Sequence, residues 1–197
     1  AQEKDSPREK IAGMEKQLET AKDDRERAEL FFRLGDAHIY LNPEKGLAYA
    51  RQGEQLARRI DYPEILGNCL NVMGIIYTRR GDFKKALLRF TESLEIRKEL
   101  GDDIAIAGSY NNIGLVYRNR EDYIKALEYY YKSLEIKEKL GDESGTANSY
   151  NNVGLIYHSL GDHQKALDFY SRSLAIKKKS GNAIGIANSY YNIAQVY

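Results

Sequence analysis

The sequence predicts an all-α fold, a solenoid of antiparallel helix pairs, and three observations carry that reading. A nine-residue phrase recurs every forty residues: SYNNIGLVY at 109–117, SYNNVGLIY at 149–157 and SYYNIAQVY at 189–197. A fixed period of this length marks a solenoid or an array, in which each unit is stabilised by its neighbours. Within a unit the apolar residues keep helical spacing, as Tyr110, Ile113, Gly114 and Tyr117 do at i, i+3, i+4 and i+7. Turn residues separate the helical stretches, and no alternating strand pattern interrupts them.

Residues 1–22 read as an N-terminal segment with a capping helix. Over 7–21 it places Ile11, Met14, Leu18 and Ala21 on one face, suited to cover the first repeat. The array occupies 23–197, with units at 23–61, 62–101, 102–141 and 142–181 and a partial one at 182–197. The first unit is the weakest copy: FFRLGDAHIY (31–40) leads into PEKGLAYARQGEQLARRI (43–60), with one residue fewer in the turn. From the second unit on the register is fixed. Gly74, Gly114 and Gly154 share a slot with Ala194; Tyr77, Tyr117, Tyr157 and Tyr197 share another; Ala86, Ala126 and Ala166 a third.

The second helix of a unit repeats the apolar stripe, in the third copy with Ala126, Leu127, Tyr130, Leu134 and Ile136. Of the tyrosine run 129–131, which faces three directions, one or two rings fit the core and Tyr131 is expected at the surface. At the turns, Gly81 and Gly161 suit the left-handed residue that ends a helix, and Asp82, Asp122 and Asp162 suit the next N-cap. Glu121 stands where glycine is expected and should cost that turn some stability.

Small residues at the helix crossing with tyrosine at the seam resemble the tetratricopeptide repeat family. The resemblance rests on Tyr110, Ile113, Gly114, Tyr117, Ala126 and Tyr130 and their equivalents forty residues away, and it covers about residues 24–197. It implies a right-handed superhelix with a concave groove that binds a peptide or protein segment. The usual unit of that family has 34 residues, and the forty-residue form is similar to the repeats of cell-polarity adaptors, bacterial peptide-pheromone receptors and extracytoplasmic halves of bacterial sensors.

The paired asparagines are the strongest handle on function. On a helical wheel anchored at Tyr110, they flank the face opposite the packed one, and the resemblance puts that face in the groove. The groove residues are then Asn68, Asn71 and Ile75; Asn111, Asn112, Leu115 and Asn119; Asn148, Asn151, Asn152 and Leu155; and Asn188, Asn192 and Gln195. Arg79, Arg118 and His158 sit near its edge. Asparagine disfavours helix by roughly half a kcal/mol against alanine, so its repetition calls for a compensating gain. Two explanations are open: a ladder of amides that holds an extended peptide by its main chain, or bonds to the neighbouring helix that pin the units. Asn111 and Asn151 point more squarely at open groove, whereas Asn112 and Asn152 lie nearer the inter-unit side. The lysines that relatives use to clamp a free carboxylate are missing here, which disfavours a chain end as ligand.

The remaining signals bound the function. Lysine plus arginine (30) nearly cancel aspartate plus glutamate (29), which favours neither nucleic acid nor an anionic membrane as partner. No stretch approaches the roughly 20 apolar residues of a membrane span. The single cysteine, Cys69, forms no internal disulfide and reads as a packed thiol. His38, His158 and His163 lack metal-ligand spacing, so no metal or cofactor is expected. Arg80-Gly81-Asp82 is explained by turn chemistry rather than adhesion. No nucleophile–base set stands out, so the chain does not read as an enzyme.

The first reading is therefore a peptide- or protein-binding scaffold. An alternative is the extracytoplasmic input module of a bacterial signalling protein, of histidine-kinase or transcription-regulator type, with its output domain outside this sequence. The Ala-Gln start, compatible with signal-peptidase cleavage and a periplasmic location or else with an arbitrary boundary and a cytoplasmic one, motivates it. The chain reaches Tyr197 inside a first helix without a cap, which reads as a fragment and offers Ile193, Val196 and Tyr197 for self-association.

Overall fold

Capping chemistry defines where the helices begin. Asp82, Asp122 and Asp162 accept from the backbone N–H of Lys85, Lys125 and Lys165 at 3.1–3.2 Å, each opening the second helix of a pair. Asp102, Asp142 and Asn182 accept from Ala105, Gly145 and Gly185 at 2.8–2.9 Å, opening the first. Each such cap stabilises by about 1 kcal/mol. The turns then require a residue at positive φ. Gly81 (76°) and Gly161 (78°) supply it at no steric cost, while Glu121 adopts 60° with a side chain in place, a strain of roughly 1–2 kcal/mol.

A computed structural model describes residues 6–197. The opening stretch 1–5, and with it the expectation of a processed N-terminus, lies outside the described residues. Among the described residues there are ten helices and no strand: α1 (Pro7–Thr20), α2 (Asp24–Ala37), α3 (Pro43–Arg59), α4 (Pro63–Arg79), α5 (Phe83–Leu100), α6 (Asp103–Asn119), α7 (Tyr123–Leu140), α8 (Glu143–Ser159), α9 (His163–Lys179) and α10 (Ala183–Ala194). The chain divides into two compact units, Ala1–Gly101 and Asp102–Tyr197.

In the first unit α1 packs on α2, and α2 to α5 pack in succession. Ile11 of α1 is buried and Met14, Leu18 and Ala21 are half-buried. The core around Ala28, Phe31, Leu56, Ala57 and Ile65 encloses Cys69, whose thiol burial pushes up to about 12. Such a thiol stays protonated and inert at neutral pH.

In the second unit α6 to α10 pack in succession. Each crossing is set by a missing side chain. A Cβ at Gly114 would lie 2.8 Å from the Tyr130 ring, and one at Gly154 would lie 2.7 Å from that of Tyr170. Neither distance is compatible with a close-packed interior. Ala126, Tyr130, Val153 and Ile156 form the core here, with Tyr117 and Tyr157 packed against it. Of the tyrosine run, Tyr130 is fully buried, Tyr129 is half-buried and stacked on Tyr117, and Tyr131 is exposed. A buried serine hydroxyl also ties each second helix to its partner: Ser133 Oγ donates to Ala107 O at 2.8 Å and Ser173 Oγ to Ala147 O at 2.7 Å. The first unit has the same bond, from Ser93 Oγ to Gly67 O at 2.7 Å.

Candidate functional site

With Ile113, Gly114 and Val116 of α6 buried, and Val153, Gly154 and Ile156 of α8 likewise, the helical period turns their other residues outward. Asn111, Asn112, Leu115 and Arg118 on α6 are half-buried, as are Asn151, Asn152, Leu155 and His158 on α8. On α10, Asn192 is half-buried, while Tyr191, in the slot of Asn111 and Asn151, is exposed.

The second asparagine of one copy reaches the first asparagine of the copy before it. Asn152 Nδ2 donates to Asn111 Oδ1 at 2.8 Å, and Asn192 Nδ2 donates to Asn151 Oδ1 at 2.7 Å. These bonds join α6 to α8 and α8 to α10 directly. A net gain of about 0.5–1.5 kcal/mol per hydrogen bond is of the same size as the helix propensity, roughly 1 kcal/mol, that two asparagines give up. Each bond engages one N–H and one carbonyl oxygen, whereas a carboxamide offers two N–H donors and an oxygen with two lone pairs. Every bridged pair therefore retains bonding capacity on Asn111 or Asn151 Nδ2 and on Asn152 or Asn192 Oδ1.

Beside the bridges is a recess of about 370 Å³ lined by Arg118, Asn119, Glu121, Tyr123, Leu155, His158 and Ser159. It brings together four residues expected from the sequence: Arg118, Asn119, Leu155 and His158. Glu121, Tyr123 and Ser159 were not expected there. The left-handed turn at Glu121 is what carries the first two to the recess, and its only sequence sign is the missing glycine. The recess thus combines three nitrogen-bearing side chains, two hydroxyls, one carboxylate and aliphatic Leu155. The His158 ring also lies 5.7 Å, centroid to centroid, from that of His163.

The other expected residues are placed differently. Asn148 and Asn188 are exposed near the starts of α8 and α10 and make no part of the recess. In the first unit Asn68, Asn71 and Ile75 of α4 are half-buried, and Asn68 Oδ1 accepts from an Arg97 guanidinium N–H at 3.1 Å. Lys137 and Lys177 also have structural positions that the repeat did not advertise, donating to Ser149 Oγ at 3.0 Å and Ser189 Oγ at 3.3 Å. Burial lowers the pKa of both ammonium groups; the Asp142 carboxylate opposes this at Lys137, and no acidic group does so at Lys177.

Among the described residues no group of three or more His, Cys, Asp or Glu side chains is placed to hold a metal ion. None of their helices is long and apolar enough to cross a membrane.

Comparison with known proteins places this geometry. Residues 70–104 and 105–179 match two family models, each described as tetratricopeptide repeat, and together these span more than half of the chain. No curated protein matches in sequence. Among solved structures, BtubC from P. vanneervenii is similar at 22% identity and a TM-score of 0.84, covering 98% of this chain and 84% of its own. A signal transduction ATPase with numerous domains from Pyrococcus horikoshii, which has a tetratricopeptide repeat sensor, is 18% identical with a TM-score of 0.86. That match covers 97% of this chain and 30% of the larger protein. A Rap protein complexed with competence and sporulation factor is 19% identical with a TM-score of 0.80, covering 94% and 58%. The chain thus spans about a third to four-fifths of these proteins and shares their helical-repeat fold. With its repeat register, its glycine–tyrosine crossings and both family models in agreement, the chain belongs to the tetratricopeptide repeat family.

Proposed function

We propose that this chain is a recognition scaffold that holds an extended segment of a partner along the α6, α8 and α10 face. The observation that carries the reading is the pair of asparagine bridges, each of which keeps an unspent N–H and an unspent carbonyl beside apolar Leu115 and Leu155. A peptide main chain offers the complementary acceptor and donor at every residue. The recess at Arg118, Leu155 and His158 would take one side chain of the segment. Because the face is lined by amides, binding would depend only weakly on salt. The similar Rap protein complexed with competence and sporulation factor supports a binding role for the fold.

The test is selection of extended peptides from a displayed library on the purified protein, followed by affinity measurements on the Asn111→Ala/Asn151→Ala variant. Loss of two hydrogen bonds at about 0.5–1.5 kcal/mol each predicts a drop of roughly 5- to 150-fold. Selected peptides that bind the variant with unchanged affinity, while its circular dichroism is native, would refute the reading.

A second reading rests on the similar sensor of the Pyrococcus ATPase: this chain would be the input part of a longer signalling protein. The gene sequence flanking the chain decides it. A membrane helix and an output domain are expected there, and an open reading frame without either rules the input role out.

A further inference from the structure

His38 closes α2, with its backbone N–H bonded to Leu34 O at 3.2 Å and its carbonyl accepting from Asn42 N–H at 3.0 Å. The main chain is thereby fixed, and the imidazole is held inside the protein at 7% exposure. Neither ring nitrogen has a hydrogen-bond partner among the described residues. The ring stacks on Tyr49 of α3, with centroids 5.8 Å apart and planes 20° apart, and the Tyr49 hydroxyl donates to Glu15 of α1 at 3.0 Å. His38 also lines a recess of about 330 Å³ together with Arg8, Ile11 and Glu15 of α1. A neutral ring fits this seam as an apolar plate, whereas an imidazolium has two N–H donors and no acceptor for either.

We propose that His38 is a built-in release for the N-terminal helix: neutral, it seals the seam under α1, and protonated, it undocks α1 from the first helix pair. The charged groups around it do not rescue the imidazolium. Lys45 of α3 repels it, and Arg8 of α1, also a cation, lines the same recess. Glu15 of α1 attracts it, but that carboxylate is bonded to Tyr49. Asp36, on His38's own helix, is itself held toward its neutral form by burial. Burial is accordingly the largest influence on His38 and lowers its pKa. The helix it restrains is thinly attached, with Ile11 its one buried residue.

Docking is then fully present above the ordinary histidine pKa of about 6.5 and weakens as pH falls below it, by up to about tenfold per pH unit until the docked pKa is reached. The test is amide hydrogen exchange of α1 (residues 11–18) at pH 7.5 and 5.0, corrected for intrinsic exchange, with α4 (residues 70–76) as reference. In the wild-type chain α1 protection falls at least fivefold relative to α4 at pH 5.0. In His38→Phe, which keeps an aromatic plate on Tyr49, the fall disappears. A flat wild-type profile overturns the proposal, as does a fall that persists in His38→Phe, which would assign the response to Glu15 or Asp36. Should the variant not fold, the wild-type His38 resonances decide: an imidazole titrating at or above 6.5 overturns the proposal, and one titrating below it with α1 release supports it.

Discussion

Replacing Tyr130 by phenylalanine should stabilise the protein. The Tyr130 ring is 1% exposed, and its hydroxyl has no hydrogen-bond partner among the described residues. Burial raises its pKa to about 12, so it stays neutral across the working range. In the unfolded chain that hydroxyl is hydrated, and folding removes the water without replacing it, at a cost of about 1–3 kcal/mol. The ring itself does the packing: it sits over Gly114, as the Phe90 ring sits over Gly74 at 1% exposure in the first unit, with no hydroxyl at all. Tyr130→Phe should therefore keep the packing and gain about 1–2 kcal/mol, a rise in Tm of roughly 2–8 °C for a chain of this size. Urea unfolding followed by circular dichroism measures the midpoint, and calorimetry the Tm. Tyr170→Phe is the parallel variant: its ring is likewise 1% exposed and burial raises its pKa to about 12, but its hydroxyl is not among the sealed, unpartnered atoms, so its gain should be the smaller. A Tyr130→Phe midpoint at or below that of the wild type would show that the hydroxyl is bonded, and the reasoning would fail.

Glu121→Gly should relieve the left-handed strain and gain about 1 kcal/mol in urea unfolding, because no other residue of that turn has to move. Gly114→Ala should lose about 1–3 kcal/mol, since its Cβ would enter the Tyr130 ring; combining it with Tyr130→Leu should restore part of the loss. Lys177 carries a lowered pKa at a site without an acidic neighbour. The unfolded chain binds its proton more tightly, so stability should rise as pH increases from the lowered folded pKa toward about 10.4. Lys177→Met should abolish that rise in a pH series of urea midpoints. Lys137, likewise lowered by burial with Asp142 opposing, should show a rise of the same sign.

Most of the fold was legible because a repeat states its rule several times. Gly114 and Gly154 identify a close approach, Tyr130 and Tyr170 identify what approaches, and the forty-residue spacing says that both recur. The aspartates after the turns fixed the helix starts for the same reason. Residues that act once were harder to read. His38 lies in the most divergent copy, so nothing in the register announces its burial, and the orphaned hydroxyl of Tyr130 depends on a seal that no spacing reveals. The asparagines fall between these cases. Their face followed from the helical period, and the two candidate explanations were bonding to a ligand and bonding between copies. The structure shows that Asn111 and Asn151 bond between copies as acceptors. The partner sits forty-one residues on, the repeat length plus one, so a first asparagine in one copy and a second asparagine in the next are what make such a pair available.

That offset of one has a consequence for how the array can grow. A copy of residues 102–141 brings an acceptor at its own first asparagine and a donor at its own second, so it presents one socket and one plug. Inserting such a block duplicates the joint along with the helices, and removing one closes the gap with the same joint. Length can then change by whole blocks while the lateral stitching stays matched, which a seam built from unlike residues at each junction would not permit.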